Sequence, residues 1–229
     1  MEKHYRYSTL KSIYGVVIKG QRIWKERVEN QTYLIHLLEK LFGAEITNKA
    51  FSFYPKRIYF STPLTAEPQY TKKAKPLWQK IKKMLVELGY QVYAPFDKTD
   101  PHAKIPDSLT SFEIAELDHV QVLTAEVALM DLNLPSHGVG QEIELAIFLP
   151  VFGFAKARVS RMVKGTPGTM VFTYKNEKQL LQILRLIFRR KSYRKEPFYL
   201  GKCRKHKTYT IFKGKNCLFC RFQKYLHPI

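Results

Sequence analysis

Glu126-Val-Ala-Leu-Met-Asp-Leu132, followed at once by Asn133-Leu-Pro-Ser-His-Gly-Val-Gly140 and then Gln141-Glu142-Ile-Glu-Leu-Ala146, is the stretch on which the architecture turns. Its first seven residues are nearly continuously apolar, the pattern of a strand buried on both faces of a helix-covered sheet. The polar, glycine-containing segment after it predicts a turn, and Gln141 onward predicts a helix. Residues 131–142 therefore fall at the carboxyl end of a central strand, where open α/β sheets bind ligands. Gly138 and Gly140 let a ligand approach the backbone closely, and free N–H groups at a helix start favour an anion. On this reading Glu142 sits in the first helical turn, where the dipole favours its ionised form. That suits a nucleophile or an electrostatic partner for a developing cation. An acidic first-turn residue is also simply a good helix start, and a GxG without a third glycine is not a dinucleotide fingerprint.

Working outward, strand and helix signals alternate. RIYFS (57–61) reads as a strand ending in a turn at Pro63. From Tyr70 to Leu88 the apolar Leu77, Ile81, Met84, Leu85 and Leu88 recur at helical spacing, with Lys72, Lys73, Lys80 and Lys83 opposite. Gly89 ends that helix, and QVYAP (91–95) reads as the next strand. A polar loop from Phe96 to about Thr110 leads to a helix over Ser111–Ala125, with Ile114, Leu117, Val122 and Leu123 on its apolar side. TMVFTY (169–174) predicts a further strand and Glu177–Arg190 a closing helix. Such alternation implies right-handed crossovers and a parallel sheet with helices on both faces. Residues 1–56 fall outside the repeat. They carry a β-like stretch around Val16–Ile23 and a helical pattern through Leu34, Leu37, Leu38 and Leu41.

Charge divides the chain differently. The 229 residues hold 39 Lys and Arg against 19 Asp and Glu, a formal net charge of +20. Residues 191–229 alone contribute 11 basic and 1 acidic side chains, so half of the excess lies in a short tail. The division expected is an N-terminal extension (1–56), a central α/β domain (57–190) and a basic C-terminal ribbon (191–229). No apolar run approaches the ~20 residues of a membrane helix. The opening MEKHYRYSTLKS has no apolar stretch behind its charges, so no secretory signal is expected.

The tail also holds all three cysteines. Cys203-Arg-Lys-His206, ten residues, then Cys217-Leu-Phe-Cys220 has the spacing of a Cys3His zinc ribbon closed by a hairpin. With four ligands the zinc would be structural, supplying folding free energy to a segment with little core of its own. Three cysteines consumed this way leave no disulfide framework, consistent with a reducing, cytoplasmic setting. Ten basic residues between 194 and 224, among Tyr199, Tyr209, Phe212, Phe219, Phe222 and Tyr225, suit contact with DNA or RNA. A partner-docking knuckle or a lid over the site is the other reading.

Five stretches in one order carry a family resemblance: IYFSTPLT (58–65), LVELGYQVYAPFD (85–97), Asp118 with Ala125-Glu126, PSHGVGQEIELA (135–146) and VSRMVKG (159–165). Together they resemble the nucleoside 2-deoxyribosyltransferase-like superfamily over about residues 57–190. The branch most similar is that of the (deoxy)nucleoside 5′-monophosphate N-glycosidases, whose PSxGVGxE signature the fourth stretch resembles. The resemblance implies a Rossmann-like, flavodoxin-like α/β sheet, a homodimer and no organic cofactor. It implies Glu142 as the glutamate that attacks the anomeric carbon or stabilises an oxocarbenium-like transition state. Asp118 would then act on the leaving base or an incoming water. Tyr59 matches a tyrosine near the glutamate, though a strand tyrosine in the core reads equally well. Ser61 and Thr62, in the turn after the first strand, become candidate substrate contacts. Ser136 with Gly138 and Gly140 would cradle a 5′-phosphate, and Ser160 matches a second phosphate-binding serine.

There are departures. Pro63 and Thr65 stand where the glycosidases carry a phosphate-binding serine and arginine, Glu126 replaces an aspartate, and the segment between Glu142 and Ser160 is short. The function implied is cleavage or transfer of the N-glycosidic bond of a nucleotide. One alternative is an inactive or auxiliary protein binding nucleic acid or ribonucleoprotein through the ribbon. Another is an N-glycosylase acting on a base within DNA or RNA, which would have to be extruded and would offer no terminal phosphate.

Overall fold

The computed structural model describes residues 57–98, 100, 109–146, 149–166, 168–189, 198–205, 209–213 and 215–226. The N-terminal extension, most of the 99–108 loop and His206 lie outside the described residues. The order is β1 (Arg57–Ser61), α1 (Pro68–Glu87), β2 (Gln91–Tyr93), α2 (Ser111–Thr124), β3 (Val127–Asp131), α3 (His137–Leu145) and β4 (Val151–Ala155). Then follow α4 (Arg161–Gly165), β5 (Thr169–Thr173), α5 (Glu177–Phe188), β6 (Phe198–Lys202), β7 (Tyr209–Lys213), β8 (Asn216–Cys217) and α6 (Leu218–Phe222).

β1 to β5 form one parallel sheet in the order β2-β1-β3-β4-β5, the flavodoxin-like arrangement. Every residue of β1, β3 and β4 is buried, as covered parallel strands require. Alternation along β1 sends Ile58 and Phe60 to one face, where Trp78, Ile81 and Leu85 of α1 meet Leu180, Leu184 and Ile187 of α5. Tyr59 joins the opposite face with Val122 of α2 and Val139 and Ile143 of α3. The start of α2 is set by a capping box: Glu113 N–H donates to Thr110 Oγ1 at 3.2 Å, and Thr110 N–H donates to Glu113 Oε2 at 2.7 Å.

Three features differ from the sequence reading. β4 is additional to the strands read from sequence; its short apolar run is ambiguous by periodicity alone between strand and buried helix. Trp78, fully buried, is the main apolar anchor of α1, with Leu77 only half-buried. Most consequentially, α3 begins at His137, not Gln141, so Gly138 and Gly140 are helical and Glu142 lies in the second turn. Val139 and Ile143, four apart and both buried, pin this turn to the core. Their burial outweighs the roughly 1 kcal/mol that each glycine costs a helix interior.

The C-terminal segment forms an antiparallel sheet, β6-β7-β8, followed by α6. It shares the α1/α5-side core. Phe198 packs on Phe152 and Phe188 with centroids at 5.4 and 5.7 Å, and Phe222 meets Phe172 at 5.9 Å. Leu226 bridges antiparallel to Phe172, covering the edge of β5. Buried Lys213 donates from Nζ to the carbonyls of Ile187 at 2.7 Å and Arg189 at 2.9 Å, closing the carboxyl end of α5. Among the described residues no helix is long and apolar enough to cross a membrane.

Candidate active site

In this strand order the topological switch lies between β1 and β3, and the crevice outside their carboxyl ends is the expected ligand site. Ser61 ends β1, and the chain leaving β3 runs into α3 and Glu142. Tyr59 and Ser61 are two residues apart on a strand, so both hydroxyls address the same face. Tyr59 OH donates to Glu142 Oε1 at 2.6 Å, and Ser61 Oγ donates to Oε2. Each carboxylate oxygen thus has its own hydroxyl, which aims the group as well as satisfying it.

The electrostatics depart from the expectation of a dipole-lowered glutamate. Burial pushes the Glu142 carboxyl up to about 7, the hydrogen bonds from Ser61 and Tyr59 oppose the rise, and the charge of Asp118 adds to it. In the second turn, with its N–H neighbours already bonded within the helix, Glu142 is out of reach of the free donors at the helix start. Asp118, on α2, is also raised by burial, to about 6, against a lowering hydrogen bond from Tyr93. Both carboxyls are therefore raised, not one raised and one lowered.

Tyr93 is a site residue that the sequence reading passed over. It is register partner to Tyr59 in the β1–β2 pair, its ring stacks on Tyr59 at 5.8 Å and 19°, and its OH donates to Asp118 Oδ1 at 2.9 Å. It ties the element holding Asp118 to the strand that clasps Glu142. Its only trace in the sequence is its place in a strand predicted to pair beside β1. Replacing Tyr93 with Phe keeps the stack and removes the hydrogen bond that holds the Asp118 carboxyl down. The Asp118 carboxyl should then titrate at a higher pH in carbon-detected NMR, at a stability cost of about 1 kcal/mol. An unmoved Asp118 titration would show that the Tyr93 bond is not felt.

The other sequence candidates are spread around the same end of the sheet. Ser136 is the N-cap of α3, but its hydroxyl makes no capping bond. A Cβ built on Gly138 would come no nearer than 3.9 Å to Ser136 Oγ, and one on Gly140 would meet nothing within 4 Å. Thr62 is buried and its hydroxyl has no partner among the described residues. Pro63 is buried and Thr65 exposed. Ser160 is exposed and accepts the Met162 N–H at 3.2 Å as the cap of short α4, so its hydroxyl is committed locally.

On the opposite face, buried Asp131 takes four donors: Trp78 Nε1 at 2.7 Å, Tyr70 OH at 3.0 Å, and the Asn133 N–H and Nδ2 at 3.0 and 2.6 Å. Asn133 reaches on to Tyr174 OH at 3.0 Å and accepts the Lys156 N–H at 2.8 Å. This network fixes the loop between β3 and α3, and so the helix bearing Glu142.

In the C-terminal segment, Sγ atoms of Cys203, Cys217 and Cys220 lie within 4.8 Å of one another, and Cys203 and Cys220 are 3.8 Å apart. A tetrahedral ion with metal–sulfur bonds of about 2.3 Å sets sulfur atoms about 3.8 Å apart, whereas a disulfide needs about 2.05 Å. The three thiols fit a shared metal ion. Cys217 precedes α6 and Cys220 lies within it, so one helical turn brings the pair together while Cys203 follows β6. Three of the aromatics that the sequence placed beside the charges are turned inward here. Phe222 is buried, and Phe219 and Tyr225 pack on the same core. They dock the ribbon and are not displayed for stacking on bases.

No family model and no curated protein matches the sequence. Among solved structures, the chain is similar to the CMP N-glycosidase BcmB of Clostridium botulinum, with 19% identity and a TM-score of 0.45 over 57% of this chain and 99% of that one. It is similar to a 2-deoxyribosyltransferase from Bacillus psychrosaccharolyticus, with 16% identity and a TM-score of 0.41 over 60% of this chain and 99% of that one. A conserved protein from Enterococcus faecalis V583 is similar at 18% identity and a TM-score of 0.40, over 58% and 98% of the two chains. The strand order and register above define the α/β fold independently of these likenesses.

Proposed function

We propose that this protein breaks the N-glycosidic bond of a nucleoside 5′-monophosphate or related nucleotide, by hydrolysis or transfer. The observation that carries the reading is the Glu142 carboxylate, held oxygen by oxygen by Tyr59 and Ser61 at the β1/β3 crevice, with the Asp118 charge felt at the same group. A two-carboxyl site of this kind serves glycosidic chemistry. Ionised Glu142 attacks the anomeric carbon as its bond to the base nitrogen breaks, and Asp118 gives its proton to the departing base. Water, or an incoming base, then attacks the anomeric carbon, Asp118 takes up the released proton, and the Glu142 ester opens. The uncommitted Ser136 hydroxyl and the N–H groups at the start of α3 would receive the phosphate. The buried Thr62 hydroxyl beside Ser61 would bond to substrate.

Incubation with a nucleotide panel, following free base by chromatography, tests the reading; no base from any member would overturn it. The pH dependence is specific. Both carboxyls are raised by burial, and the Asp118 charge raises Glu142 further, so the two titrate as a coupled pair. A nucleophilic Glu142 must be ionised and a donating Asp118 protonated, so kcat/KM should trace a bell with its maximum between about pH 6 and pH 7. In Asp118→Asn the neighbouring negative charge is gone, so the Glu142 carboxyl should titrate at a lower pH in carbon-detected NMR, while the falling limb of the profile disappears and turnover drops about 10²-fold or more with loss of the proton donor. A Glu142 titration that stays put or rises would contradict the coupling.

For the cysteine cluster we propose zinc, with His206 as fourth ligand. Three thiolates and an imidazole complete a closed tetrahedral set with no position left for chemistry, so the ion is structural.

A further inference from the structure

On the rim at the carboxyl end of β5 the ribbon places Lys224 beside Lys156 of the α/β layer, and nothing in the proposed chemistry uses them. Tyr225 lies against the end of β5, where Thr173 Oγ1 donates to its carbonyl at 3.1 Å, and Lys224 Nζ sits 4.8 Å from the Tyr225 ring. The next residue of that strand end, Tyr174, carries Lys156 Nζ over its ring at 5.4 Å and takes the hydrogen bond from Asn133. Asn133 belongs to the loop that leads into α3 and Glu142. A chain of contacts thus runs from the ribbon, across the carboxyl ends of β5 and β4, to the crevice. Lys156, Arg158, Lys175, Arg221 and Lys224 are all exposed, and none has an acidic partner among the described residues. Glu177, two residues from Lys175, is taken by Lys80 at 3.0 Å.

We infer that this rim binds the sugar–phosphate backbone of a polynucleotide strand. Charge alone admits an acidic protein or an anionic membrane, but the ribbon's apolar residues speak against both. Leu218 and Phe222 are spent on the internal core, and none of the large exposed apolar side chains among the described residues lies on the ribbon. A protein interface needs an apolar, lysine-poor centre, and membrane attachment needs an apolar face to insert. Exposed, unpaired cations without such a centre suit a chain of phosphates, which is bound through counterion release and without base preference. Phe219, Phe222 and Tyr225 are turned toward the core, so these rings add no stacking to this term. The proposal goes beyond the chemistry at Glu142, because a strand can be bound whether or not its bases are cut.

The test is fluorescence anisotropy of labelled RNA and DNA oligonucleotides of about 20 nucleotides, titrated with the full chain between about 50 and 200 mM salt. The triple variant Lys156→Glu, Arg221→Glu, Lys224→Glu should lose at least about tenfold in affinity and about 2 units of log–log salt slope. The triple variant Lys72→Glu, Lys73→Glu, Lys83→Glu, the same charge change on the exposed face of α1, should keep the slope. Circular dichroism and metal content establish that both variants fold. The tighter of the two oligonucleotides identifies the natural strand. Equal losses in the two variants would overturn the proposal, as would displacement of the oligonucleotide by polyglutamate or phosphatidylserine vesicles at matched charge. Glu142→Gln should bind as wild type does; in the wild type, absent base release with intact oligonucleotide binding overturns the catalytic reading alone. Base release with no oligonucleotide binding overturns this one alone.

Discussion

Glu142→Gln is expected to abolish base release by at least about 10³-fold while making the protein more stable above neutral pH. The amide keeps the shape of the side chain but has no lone-pair charge with which to form the ester, so the covalent step has no substitute. The stability gain follows from the raised carboxyl. An unfolded glutamate titrates near 4.3, whereas Glu142 in the fold titrates at about 7 because burial penalises its charge. Between those values the folded protein binds more protons than the unfolded chain, so stability declines as pH rises through the window and levels off above it. The decline is on the order of 3 kcal/mol, and a residue that cannot ionise escapes it. Tyr59 OH can donate to the amide oxygen, and Ser61 Oγ can turn to accept from the amide nitrogen. Urea denaturation at about pH 5 and pH 8 reads the effect: the wild type should lose clearly more stability between the two than the variant, whose remaining decline comes from the raised Asp118. Identical pH dependence in both proteins would mean that the carboxylate is not strained by its site.

Removing metal should act on far more than the ribbon. A chelator, or Cys203→Ser, is expected to lower the melting temperature by about 10 °C or more, and the loss should appear as one cooperative transition, not as a separate early melt. The reason lies in where the ribbon's apolar residues go. Phe198, Ile211, Leu218 and Phe222 belong to the same buried cluster as Trp78, Phe152, Phe172 and Ile187. Each is worth roughly 1.5–3 kcal/mol when withdrawn from water. Lys213 also closes the carboxyl end of α5, and Leu226 covers the β5 edge. When the cysteines let go, these contacts loosen together, and the exposed edge invites strand-to-strand aggregation. Differential scanning fluorimetry with and without chelator, alongside elemental analysis for one zinc per chain, checks this. A melting temperature indifferent to chelation in a metal-free preparation would remove zinc from the account.

Periodicity carried much of the architecture. RIYFS, the lysine-striped helix after it and the apolar run 127–131 announce a covered parallel sheet because strand and helix repeats are local properties. The cysteine spacing announced a cluster of three thiols able to share a metal ion for the same reason, since ligand separations along the chain constrain separations in space. The start of α3 was not legible. Two glycines and a histidine argue for a turn, and only the burial of Val139 and Ile143 against the second face of the sheet makes them helical. β4 was hidden because a short buried strand and a short buried helix look alike in sequence.

For the site, the sequence by itself determined which acids stand at the carboxyl ends of strands: Glu142 after β3, with Tyr59 and Ser61 two apart on one face of β1. The tertiary structure decided what those groups are. It set Tyr93 between Tyr59 and Asp118, enclosed both carboxyls so that both rise, spent Phe198, Phe219 and Phe222 of the ribbon on the core, and gathered Lys156 with Lys224 on one rim. The physical reason is range. A repeat depends on neighbours three or four residues away, but the ionisation of a carboxyl, the burial of a ring and the field of a row of lysines depend on everything within several ångströms. In this fold those neighbours come from segments 25 to 83 residues apart.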